Sequence, residues 1–111
     1  YSPQRLEALL AEGKPVFVNL TAAWCITCLF NEQVALDTAQ AKDEFAASGT
    51  VYLKGDWTNR DPAITALLRA HGRDGVPLYL HYPAGKKEPE VLPQVLTPAI
   101  ISEAIRNGQV N

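Results

Sequence analysis

The chain has 111 residues, 47% of them apolar and 20% charged, with a formal net charge of -2. That length supports one domain with its own core, and the slightly acidic balance gives no electrostatic case for nucleic acid or an anionic membrane surface. No apolar run approaches the roughly 18 residues that cross a bilayer, and no charged stretch leading into an apolar one marks a signal peptide. The chain has no methionine and starts at Tyr1, so residues 1–111 are expected to be a single domain taken from a longer protein.

Ser2–Glu12 reads as a short helix, with Ser2 as N-cap, Pro3 in the first position and an apolar stripe at Leu6, Leu9 and Leu10. Gly13 ends it. Val16–Thr21 is nearly continuously apolar, as expected of a central strand covered on both faces. A helix is expected after Trp24, running to about Ala47 with a break where Asp37-Thr38 offers a new N-cap. Thr50–Trp57 alternates with period two, placing Val51, Leu53 and Trp57 on one face and Tyr52, Lys54 and Asp56 on the other. Asp61 and Pro62 start a helix that reaches about His71. Leu78–Tyr82 is a strand, residues 83–89 form a hairpin loop, and Glu90–Leu96 is a last strand with Pro93 marking an edge or bulge. Thr97-Pro98 caps a final helix that closes near Gly108. The order α-β-α-β-α-β-β-α makes the first two strands parallel and the last two antiparallel. It predicts an α/β fold of the thioredoxin-like kind, a mixed four-stranded sheet with helices on both faces.

The chemistry centres on Cys25 and Cys28, which follow the apolar strand in Trp24-Cys25-Ile26-Thr27-Cys28. At spacing i, i+3 the two sulfurs share one side of a helix, close enough to bridge. A helix N-terminus places unpaired N–H groups and partial positive charge beside Cys25, and both favour the thiolate. Cys25 is therefore the expected nucleophile and Cys28 the resolving thiol. A structural disulfide and half of a metal site are the alternatives. Zinc needs four ligands, and His71 and His81 are spaced unlike a zinc hairpin, so neither a metal nor any other cofactor is expected.

Val76-Pro77, after a glycine-rich turn, is a candidate cis bond at the start of a strand. Glu32 lies four residues after Cys28 and seven after Cys25, so a helix puts all three on one face. A carboxylate there raises a thiol's pKa and can relay its proton; a solvated surface role is the alternative. Trp24 flanks the nucleophile as a shield or as a packing aromatic. His71 and His81 are expected to be structural or surface residues.

These motifs, with Val76-Pro77 some fifty residues after the cysteines, resemble the thioredoxin superfamily over nearly the whole chain. Within it, residues 21–32, 55–64 and 75–83 resemble the C-terminal periplasmic domain of the DsbD family of membrane thiol:disulfide interchange proteins, including the copper-sensitivity-suppressor type. The resemblance implies a protein-disulfide reductase in the periplasm, a monomer cut from a membrane-embedded parent; a free-standing thioredoxin-like general reductase and a binding module on a thioredoxin scaffold with a structural disulfide are the alternatives. Its partners would be a transmembrane electron-donor domain and periplasmic acceptor proteins, among them those of cytochrome c maturation. It also implies that Cys25 and Cys28 are the redox pair, that Pro77 is a cis-proline lying against them and leaving the Val76 backbone free for a partner segment, and that Glu32 tunes the thiols. Two departures stand out. The strand acid six residues before the nucleophile is Asn19 here, which cannot take a proton, and the dipeptide between the cysteines is Ile-Thr rather than Gly-Pro.

Overall fold

Strand β1, Val16–Thr21, runs through the middle of the sheet and is buried along its full length. The computed structural model describes residues 1–108. β1 pairs in parallel with β2, Val51–Asp56, and antiparallel with β3, Leu78–Tyr82, which in turn carries the short β4, Glu90–Val91. The sheet order is β2-β1-β3-β4. Apolar residues occupy both faces of β1 because both are covered, which is why alternation is absent from its sequence.

On one face Val16, Val18 and Leu20 pack with Leu78 and Leu80 against Leu6 and Leu9 of α1, Pro3–Ala11, and Ile64 and Leu68 of α4, Pro62–Ala70. Gly55 leaves room for this packing: a Cβ there would lie 2.6 Å from Leu20 Cδ2 on β1 and 3.3 Å from Ile64 Cδ1 on α4. On the other face Phe17 and Tyr79 pack against Phe45 of α3, Ala39–Ser48, and Ile101, Ala104 and Ile105 of α5, Pro98–Gly108. The helices therefore lie on both faces of a mixed four-stranded sheet, as the sequence order predicts.

The caps form as read. Ser2 accepts from the Arg5 N–H, Asp61 from those of Ala63 and Ile64, and Thr38 from Ala41. The helix after Trp24 breaks at the expected place, but in an unexpected way. α2 covers Ile26–Asn31, continues as one π-helical segment over Glu32–Leu36, and ends before Thr38.

The last strand is corrected. It spans two residues rather than Glu90–Leu96. Pro93 has no N–H to give a ladder, and beyond it the side chain of Asn31 on α2 takes both the Gln94 carbonyl and the Leu96 N–H. The backbone that would have paired with β3 is held by a helix instead.

His81 lies on β3 opposite Phe17, with Glu90 of β4 on its other side. It is buried, and neither ring nitrogen has a partner among the described residues. Burial lowers its pKa from the ordinary value of 6.5, so the unfolded chain binds a proton more readily than the folded one. Folding stability is expected to be insensitive to this group above about pH 6.5 and to fall as the pH drops below it, towards the lowered folded value. Urea unfolding at pH 7.5 and 5.5 checks this: the difference should shrink in His81→Leu, and an equal pH dependence in both proteins contradicts it.

Candidate active site

The site is built where β1 hands over to α2. The Trp57 N–H donates to the Thr21 carbonyl at 2.7 Å, and the Cys25 N–H to the Ala22 carbonyl at 3.1 Å, which fixes the turn. Cys25 is the N-cap of α2, with extended backbone (φ -93°, ψ 103°), and its sulfur accepts the Cys28 N–H at 3.2 Å. A thiolate at this position takes the same donor as a charge-assisted bond. Cys25 and Cys28 form a disulfide, with Cα atoms 5.2 Å apart. Their exposures differ in the sense that matters for an attacking sulfur: Cys25 is 8% accessible and Cys28 0%.

Val76 packs against Ala22, Cys25 and Cys28. The Val76-Pro77 bond is cis, and Arg73 Nη1 donates to the Pro77 carbonyl at 3.3 Å. Among the described residues nothing partners the Val76 N–H or carbonyl. The structure thus brings the cysteines and the Val76-Pro77 segment together, with the Val76 main chain unpaired.

Glu32 is 6% exposed, so it is not a solvated surface residue. Its carboxylate accepts from Asn19 Nδ2 at 3.3 Å and pairs with Lys54 Nζ at 3.4 Å. Asn19 also donates to the Tyr52 hydroxyl at 2.9 Å. Asn19 and Lys54 face each other across the parallel β1–β2 register, so the group forms on one face of the sheet where Glu32 descends from α2. Burial pushes the Tyr52 phenol far above its usual range, leaving it a neutral partner. A cavity of about 420 Å³ opens beside this group, lined by residues that include Thr21, Glu32, Lys54 and Asp56. The Asn19 side-chain amide oxygen (Oδ1) and the Thr21 hydroxyl are buried without partners among the described residues.

Trp24 is half exposed. Its Nε1 donates to the Thr58 carbonyl at 3.0 Å, and the Ala23 N–H donates to the Thr58 hydroxyl at 2.9 Å. Thr58 is itself pinned, giving its N–H and hydroxyl to Asp56 and holding that carboxyl below its usual pKa. Around the cysteines Ile26, Leu29 and Phe30 are exposed apolar side chains. Neither histidine is associated with the cysteines.

Asn31 escaped the sequence reading. It is fully buried, and its amide bonds to the Tyr79 hydroxyl (2.9 Å), the Gln94 carbonyl (2.7 Å) and the Leu96 N–H (3.0 Å). The available signal was an amide at i+3 from Cys28 on an otherwise inward face.

A disulfide at a helix N-cap, packed against a cis-proline segment on a mixed sheet, defines the thioredoxin class of fold and site. The chain belongs to the thioredoxin-like family, whose model matches residues 1–84. It is 36% identical over 93 residues to thiol:disulfide interchange protein DsbD 1 of Pseudomonas aeruginosa, covering 78% of this chain and 15% of that one. It is 34% identical over 86 residues to DsbD of Yersinia enterocolitica, covering 76% and 14%. The chain thus spans only about a seventh of the length of these curated relatives. In three dimensions it is similar to the oxidised C-terminal domain of Neisseria meningitidis DsbD (TM-score 0.71, 21% identity, 96% of this chain and 91% of that one). It is also similar to a thioredoxin of Thermus thermophilus (TM-score 0.74, 19% identity, 96% and 83%). Among the described residues no helix is long and apolar enough to cross a membrane.

Proposed function

We propose that this domain is a protein-disulfide reductase that relays reducing equivalents from a transmembrane donor domain to acceptor proteins in the periplasm. The observation that carries the proposal is the asymmetric pair: one cysteine at the helix N-cap, 8% exposed and with its sulfur receiving an N–H, bridged to a second that is fully buried.

In the forward direction the Cys25 thiolate attacks one sulfur of a partner disulfide. The partner's other sulfur leaves as a thiolate, and a mixed disulfide joins Cys25 to the partner. Cys28 then gives up its proton and attacks Cys25 Sγ, and the partner sulfur that was joined to Cys25 leaves as a thiolate. The partner gains two electrons, and the domain ends in the disulfide form seen here. No cofactor enters the cycle.

The remaining residues have supporting roles in this reading. The unpaired Val76 main chain pairs with an extended partner segment, Pro77 shapes that contact, and Trp24 forms one wall. Glu32 is the acid nearest in sequence to the resolving thiol, four residues along the same helix, and it takes the place left by Asn19 on the strand. Lys54 and the Asn19 amide hold its carboxylate, and the adjoining cavity gives it a way to exchange a proton with solvent.

The test is the reduction potential of the Cys25–Cys28 pair, equilibrated with a glutathione or dithiothreitol buffer. A reductive relay is expected near or moderately above thioredoxin's value of about -270 mV; a value near that of a strong oxidase, about -120 mV, reverses the direction of electron flow and overturns the proposal.

A further inference from the structure

Residues 57–61 join β2 to α4 and form a fastening beside the redox site. Arg60 has left-handed backbone (φ 56°), a conformation that is uncommon for residues other than glycine. Its N–H donates to the Trp57 carbonyl at 2.9 Å. The guanidinium carbon lies 4.9 Å from the ring centre of buried Trp57 and 5.5 Å from that of half-exposed Trp24. The two indoles are 5.9 Å apart and tilted by 54°. Both rings are fixed by their own N–H groups, Trp24 to the Thr58 carbonyl and Trp57 to the Thr65 hydroxyl at 2.8 Å.

Arg60 is thus held over two aromatic faces, a favourable setting for a cation. Yet among the described residues its guanidinium has no hydrogen-bond or ion-pair partner. Asp61, its neighbour, spends its carboxylate capping α4, and Asp56 is engaged by Thr58. Arg60 is exposed, so its edge donors face solvent. Trp24, which it covers, directly precedes Cys25. The result is an oriented guanidinium, with much of its side-chain freedom already lost, resting on the ring of the residue that precedes Cys25.

Resting on the thiol–disulfide exchange reading, we propose that Arg60 is a specificity-determining residue that binds a carboxylate next to the reactive disulfide of the partner. The aromatic clamp explains why an arginine serves here. A planar guanidinium stacks on the indoles while its edge engages a carboxylate by two parallel bonds; a lysine ammonium does not do both. Electrostatic contacts of this kind act mainly on encounter rate and partner choice.

The experiment uses the reduced domain and two small disulfides of opposite charge, oxidised glutathione (anionic) and cystamine (cationic). Second-order exchange rates are measured for the chain as it stands, Arg60→Gln and Arg60→Lys, at low and high salt. The ratio of the glutathione rate to the cystamine rate is expected to fall about 3- to 5-fold in Arg60→Gln, the size of a solvent-exposed charge contact. It should fall less in Arg60→Lys, and the effect should shrink with added salt. Equal slowing towards both disulfides in Arg60→Gln, with altered Trp fluorescence, reduces Arg60 to a positioning residue for Trp24 and overturns the proposal. So does an unchanged ratio. If the unsubstituted domain reacts with neither disulfide, the exchange function itself falls, which is a separate outcome.

Discussion

Cys28→Ser is expected to accumulate a stable mixed disulfide, whereas Cys25→Ser reduces exchange to the uncatalysed background. The difference follows from where the two sulfurs lie. Cys25 caps α2, receives the Cys28 N–H at 3.2 Å and is the more accessible sulfur. An oxygen in its place is a far weaker nucleophile at neutral pH. Cys28 is fully buried behind it, so a partner disulfide does not reach it when Cys25 is gone. In Cys28→Ser the first attack proceeds and nothing resolves the adduct. Incubating each reduced variant with an aromatic disulfide and weighing the product by mass spectrometry separates the cases. One adduct on Cys28→Ser and none on Cys25→Ser is the expected result. Adducts of equal yield on both contradict the assignment of roles.

Asn31→Ala is expected to destabilise the fold by about 3 to 5 kcal/mol, because it strands several buried polar groups at once. The Leu96 N–H loses its acceptor, the Gln94 carbonyl its donor, and the Tyr79 hydroxyl its partner. Water reaches the Gln94 side more readily than the other two, since only that bond is part-buried, which keeps the estimate below a full sum. For a domain of this size the loss corresponds to a fall in Tm of roughly 15 °C or more. Urea unfolding measures it directly, and a change below about 1 kcal/mol means that the segment after Pro93 is held by packing alone. The same substitution should also loosen α2, since Asn31 is its last residue and ties the cysteine-bearing helix to the chain leading into α5.

Most of the architecture was readable because the local signals agree with one another. A run of apolar residues marked β1, alternation marked β2, and Ser2, Asp61 and Pro62 marked helix starts. The cysteine pair announced itself by spacing. What escaped depended on side chains that meet across the fold. Pro93 was the one local sign of an edge or bulge; what takes residues 94–96 out of the ladder is Asn31, more than sixty positions away. The π-helical segment after Asn31 leaves no mark, because its buried residues Glu32, Ala35 and Leu36 keep an ordinary helical spacing. Arg60 carried no signal of its own, and the two tryptophans it packs on come from different parts of the sequence. Glu32 was readable as sharing a face with the cysteines, but its contact with Asn19 required the register of the sheet.

The margins of the sheet carry a consequence for how the molecule meets copies of itself. β4 is two residues long and is soon followed by Pro93. On the far margin the Tyr1 N–H donates to the Lys54 carbonyl at 2.9 Å, and Lys54 and Asp56 on β2 are exposed charged residues. Short, charged or occupied borders of this sort resist homotypic strand addition. The unpaired main chain belongs instead to Val76, which packs against the disulfide. In the proposed exchange reaction, a partner segment that pairs with the Val76 main chain would meet the disulfide at the same step, while the margins of the sheet offer little competing strand addition.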